Sequence, residues 1–89
     1  MSDLKTSFDE AVKQSKELTK RPDNETLLKL YSLYKQASEG DMPEDTEKPK
    51  MFDFVASAKY NAWKGLKGLP ADEAMQQYIG IFEGLKAKE

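Results

Sequence analysis

Apolar residues recur at three- and four-residue steps in four stretches of the chain, separated by proline or glycine, and this spacing predicts four amphipathic helices. In the first, Leu4, Phe8, Ala11, Val12, Ser15 and Leu18 share a face behind Ser2 and Asp3, both good N-cap residues. Pro22 disfavours helical geometry at Arg21, so this helix is expected to end near Lys20. Asp23 or Asn24 can cap the second, whose stripe is Leu27, Leu30, Tyr31, Tyr34 and Ala37, with Gly40 as its stop. The third is expected to begin near Asp53 and to turn Phe54, Val55, Ala58, Ala62 and Leu66 inward, with Trp63 close beside them and Gly65 and Gly68 closing it. Pro70 suits the first turn of the fourth, where Asp72 and Glu73 favour the positive end of the helix dipole. Its buried stripe is Ala74, Met75, Tyr78, Ile79, Phe82 and Leu85.

Between the second and third helices, "GDMPEDTEKPKM" carries two prolines and many charges, which makes it a long loop. No strand-like alternation competes with these patterns and no internal repeat is present. The expected fold is an all-α four-helix bundle, because short amphipathic helices are unstable until their apolar faces meet. With 89 residues the chain supports one modest core, so residues 1–89 are read as a single domain.

Composition narrows the chemistry. Apolar residues make up 38 % and charged residues 34 % of the chain, above the hydrophobic poverty that marks disorder. No apolar run approaches the roughly 20 residues that cross a bilayer, so stable membrane insertion is not expected. The N-terminus lacks a basic and an apolar signal region, which makes the cytoplasm the default location. Cysteine and histidine are both absent. Thiolate nucleophiles, zinc-cysteine sites and the commonest acid-base side chain are thereby excluded, and no metal or cofactor is expected. The net charge of −2, with acids and bases interleaved, argues against nucleic acid as a partner. Any polyanion site must be local.

One local site stands out in "LYSLYKQASEGD", where Tyr31 and Tyr34, and Tyr31 and Lys35, fall on one helical face. An ammonium, a hydroxyl donor and a flat ring together make an anion receptor suited to phosphate beside an aromatic base. The plainer reading has the tyrosines sealing the edge of a core with their hydroxyls in water, and Lys59, near Tyr60 and Trp63, as a solvated side chain.

Four stretches in order, "LYSLYKQASEGD", "KPKMFDF", "AKYNAWKGLKG" and "DEAMQQYIG", resemble the successive signatures of the acyl-CoA-binding protein family over nearly the whole chain. The resemblance implies a bundle of up-down-down-up topology with a long crossover loop and an open groove for a fatty acyl-CoA ester. It implies a monomeric carrier and not an enzyme. By position, Tyr31, Lys35 and Lys59 match the family's contacts to the 3′-phosphate, Tyr34 the ring that meets adenine, Tyr78 a tyrosine lining the same site, and Lys16 a basic position near the nucleotide. Val12, Leu27, Leu28 and Ala58 correspond to positions along the acyl groove, and Trp63 to a structural tryptophan. This chain departs from the common pattern in a slightly longer loop over residues 41–50, in Lys50 where glycine is usual after proline, in Tyr60 where tryptophan is frequent, and in Leu69 and Pro70 at the fourth helix. The resulting expectation is a carrier that binds medium- to long-chain acyl-CoA esters one to one. Its main rival is an interaction module of the same fold that takes a peptide or another lipid.

Overall fold

The computed structural model describes residues 3–88. Four helices follow one another: α1 (Leu4–Ser15), α2 (Asn24–Glu39), α3 (Phe54–Lys64) and α4 (Ala71–Ala87), with no strand among the described residues. Three are started by aspartates. Asp3 accepts from the Lys5 backbone N–H, Asp23 from that of Thr26 and Asp53 from that of Ala56, each occupying an amide that the helix itself leaves unpaired. Ser2, the other cap candidate for the first helix, lies outside the described residues. Pro70 takes the N-cap position of α4, one residue ahead of the first-turn position expected for it, with Asp72 and Glu73 in the first turn.

Helix α1 ends at Ser15 and not near Lys20. The Ser15 hydroxyl donates to the Val12 carbonyl at 2.7 Å and lies 3.0 Å from the Tyr78 hydroxyl, and the Glu17 amide turns back to Gln14 in a tighter bond. A side chain that competes for the backbone carbonyls ends the helical ladder before proline does.

The bundle is built around α2 and α4, with α1 lying against α4 and α3 against α2. Phe8, Ala11, Leu30, Leu33, Ala37, Ala74, Tyr78 and Phe82 form the core. On α4 the buried residues are the expected Ala74, Tyr78 and Phe82, one turn apart. On α2 the buried face also takes in Ser32, Leu33 and Gln36, because this helix has a neighbour on each of two sides. Helix α3 departs furthest from expectation. Trp63 is buried and Ala58, Ala62 and Leu66 are half-buried, but Phe54 and Val55 are 79 % and 67 % exposed instead of facing inward. With only α2 to pack on, the first turn of α3 has nothing to cover it.

A polar knot ties the C-terminal end of α2 to the far end of α3. Gln36, 1 % exposed, donates through Nε2 to the Asp41 carboxylate at 2.7 Å and to the Leu69 carbonyl at 2.9 Å. Asp41 also accepts from the Gly68 amide at 2.9 Å, and Trp63 Nε1 donates to the Gly40 carbonyl at 2.9 Å. Gly40 reaches this position with φ +79°, a conformation that side-chain-bearing residues rarely adopt. These donors hold the Asp41 carboxyl below the ordinary carboxylate value, the Gly68 amide foremost and the Gln36 amide second. The loop that follows is stapled by Thr46, which bonds back to Pro43, and by an exposed Lys67–Glu44 pair at 3.7 Å.

Candidate functional site

Two clefts open on either side of Tyr31 and Leu27, which line both. The first, about 410 Å³, is bounded by Val12, Ser15 and Lys16, by Leu30 and Tyr34 of α2, and by Tyr78 of α4. The second, about 580 Å³, is more apolar and runs between α2 and α3, past Leu28, Phe54, Val55 and Ala58, with Arg21 and Lys59 at its walls. Each falls within the roughly 300–1,000 Å³ typical of small-molecule sites. A further cleft between α1 and α4 is lined mainly by charged and amide side chains, and has only Leu18 and Phe82 as apolar surface.

The aromatic side chains of the first cleft are fixed by packing. Phe8 stacks on Tyr34 with centroids 6.1 Å apart and meets Tyr78 edge-on at 5.2 Å. Tyr34 nevertheless remains 42 % exposed, so a ring braced from behind is presented to solvent. Tyr78 is buried, and burial pushes its phenol above the ordinary tyrosine value, against the lowering effect of its Ser15 hydrogen bond. Lys59 stands with Nζ 5.2 Å from the Tyr31 ring centroid, which brings a cation from α3 to the α2 aromatic.

Nine of the ten residues singled out from the sequence line these clefts: Tyr31, Tyr34, Tyr78, Lys16, Val12 and Leu27 the first, and Tyr31, Leu27, Leu28, Ala58 and Lys59 the second. Lys35 does not. Its ammonium is bound to Glu39 at 2.6 Å, one turn along α2, and lies 5.3 Å over the Trp63 ring. The hydrogen bond to Glu39 raises the Lys35 pKa above the ordinary lysine value. The expected cluster of two ammonium groups is therefore split, with Lys59 over Tyr31 and Lys35 held in an ion pair. Val12, grouped with the acyl groove from the sequence, sits beside the tyrosines and apart from Leu28 and Ala58.

Sequence reasoning missed Arg21, Ser15 and the two exposed apolar residues of α3. Arg21 lies in the connection before α2, where helical periodicity gives no direction, and Phe54 and Val55 carry the same apolar signal as a core residue. Among the described residues no group of three or more acidic side chains is placed to hold a metal ion, and no helix is long and apolar enough to cross a membrane.

The chain matches the acyl-CoA-binding protein family model over residues 5–82. It is 43 % identical over 83 residues to the acyl-CoA-binding protein of Dictyostelium discoideum, covering 93 % of this chain and 96 % of that one. A segment of enoyl-CoA delta isomerase 2 of Rattus norvegicus is 46 % identical over 90 % of this chain but amounts to 20 % of that longer protein. Among solved structures, acyl-CoA-binding protein 2 of Oryza sativa superposes with a TM-score of 0.88 at 35 % identity, covering 96 % of this chain and 90 % of that chain. With the family model spanning most of its length and the four helices matching a solved relative, this chain belongs to the acyl-CoA-binding protein family.

Proposed function

We propose that this protein is a monomeric, cytoplasmic carrier of medium- to long-chain fatty acyl-CoA esters, binding one ester per chain and catalysing no reaction on it. The observation that carries the reading is the junction of the two clefts at Tyr31 and Leu27, one side aromatic and polar, the other apolar. The nucleotide lies on the braced face of Tyr34 beside Tyr31, Tyr78 and Lys16, and Lys59 neutralises the 3′-phosphate. Lys35 joins when a phosphate oxygen replaces the Glu39 carboxylate. The acyl chain follows Leu27, Leu28 and Ala58. Burying a dozen methylenes contributes on the order of 10 kcal/mol before ordering costs are deducted, whereas charge-assisted hydrogen bonds contribute about 1.5–3 kcal/mol each. Tail length thus dominates affinity, and the headgroup selects the class of ligand.

The absence of histidine and cysteine from the sequence supports a carrier over a thioesterase, since the usual base and nucleophile are missing. Calorimetric titration with palmitoyl-CoA, CoA and palmitate tests the reading. One site that takes the intact ester far more tightly than either fragment is the expected result. Palmitate binding as tightly as palmitoyl-CoA overturns it in favour of a general lipid-binding module, and release of free thiol from palmitoyl-CoA overturns the non-enzymatic assignment.

A further inference from the structure

Four of the five exposed large apolar side chains in the described structure fall within five consecutive residues: Met51 (92 % exposed), Phe52 (77 %), Phe54 (79 %) and Val55 (67 %). They are held in place. The Asp53 amide closes a turn onto the Lys50 carbonyl at 2.9 Å, and the Asp53 carboxylate caps α3 at the Ala56 amide at 3.1 Å. The segment therefore projects its side chains from an ordered turn into a helix start. Phe54 and Val55 also form part of the wall of the apolar cleft, so the patch is continuous with its mouth.

The charges around the patch are not those of the chain as a whole. Arg21 and Lys59, both exposed, line the cleft wall shared with Phe54 and Val55, where no acidic side chain takes part, and Lys48 and Lys50 lead into the patch. Of the acids in the same stretch, Glu44 shares a separate cleft with Lys48 and Asp53 is engaged at the α3 cap, on a chain whose net charge is −2. Lysines next to protruding phenylalanines suit the boundary between lipid headgroups and acyl chains, where rings enter the hydrocarbon edge and ammonium groups stay with the phosphates. The core of a protein–protein contact, by contrast, is depleted of such lysines. We propose that residues 48–55 are a docking surface for an anionic lipid bilayer, seated so that the mouth of the apolar cleft faces the membrane. Docking itself stands on the patch and its charges. The use of docking, moving an acyl chain between bilayer and cleft with little exposure to water, rests on the carrier reading.

Co-sedimentation of the ligand-free full chain with vesicles tests this, using phosphatidylcholine alone and phosphatidylcholine mixed with phosphatidylserine. The wild type is expected to partition onto the mixed vesicles and less onto the neutral ones. Met51→Ser combined with Phe52→Ser, at positions outside both clefts, is expected to reduce that partitioning by about tenfold or more, with helical circular dichroism unchanged. Lys48→Glu with Lys50→Glu is expected to abolish the preference for phosphatidylserine. Palmitoyl-CoA affinity of the serine variant, measured without vesicles, should stay within about twofold of wild type. A wild type that stays in the supernatant overturns the proposal, as does a serine variant that partitions normally. A chain that dimerises through these residues, or a serine variant that loses only palmitoyl-CoA binding, overturns it by identifying a second copy or the ligand as the occupant. If wild type fails to bind palmitoyl-CoA but partitions as expected, the carrier reading fails and the docking surface stands.

Discussion

The two halves of α2 face different tasks. Its C-terminal half buries Leu33, Gln36 and Ala37 and leaves only Tyr34 of its cleft face open, and hydrogen bonds tie it through Asp41 and Gly40 to the end of α3. Its N-terminal half, with Leu27, Leu28 and Tyr31, lines open clefts, and its cationic neighbour Lys59 rests on a ring instead of in an ion pair. One helix thereby anchors the fold at one end and offers a ligand surface at the other. Polar groups satisfied within the protein stabilise it, whereas groups left to solvent remain available to a ligand.

Substitutions in the two halves should separate stability from binding. The largest effect is expected for Trp63→Ala, which removes a buried ring and its bond to Gly40 and should cost about 3–5 kcal/mol in urea unfolding, with ligand affinity per folded molecule nearly unchanged. Gln36→Ala should follow at about 1–3 kcal/mol, because the Leu69 carbonyl and Asp41 lose a shared donor. A large loss of ligand affinity in either variant, corrected for unfolding, would erase the distinction between the halves.

Binding variants come next. Lys59→Ala should weaken palmitoyl-CoA by about 1–3 kcal/mol in calorimetry and leave the urea midpoint in place. The loss should shrink for an ester lacking the 3′-phosphate. Lys35→Ala should weaken binding less, because ligand must first displace Glu39, and Glu39→Gln should strengthen it by freeing the ammonium. Equal losses at the two lysines would show that the ion pair exerts no hold.

The smallest effect concerns acid. Asp23 and Asp41 both have folded-state values below the ordinary 3.8, through hydrogen bonds from Thr26 in the first case and from Gly68 and Gln36 in the second. A depressed carboxylate contributes stability that is fully present above its unfolded value and is lost as pH falls through the folded one. The urea midpoint should therefore decline only in the range below about pH 4, and Asp41→Asn should flatten that decline.

Much of this was legible in the sequence where the signal is local. The aspartate caps, the Gly40 stop and the α4 stripe follow from short-range rules that tertiary structure did not override. Periodicity distinguishes an apolar face from a polar one but says nothing of what lies opposite. That is why Phe54 and Val55 were expected in the core, and why Leu33 and Gln36, buried by a second neighbour, were not. The Lys35–Glu39 pair has the spacing of a helical ion pair, a local signal that competes with the neighbouring tyrosines for the same ammonium.

The sole tryptophan of the chain stands beneath the Lys35 ammonium. An indole reports on charge in its vicinity, so any event that draws this lysine off the ring should alter the emission without an added label. Headgroup capture would then carry its own optical signature, while the apolar cleft, which has no indole in its walls, would fill in silence.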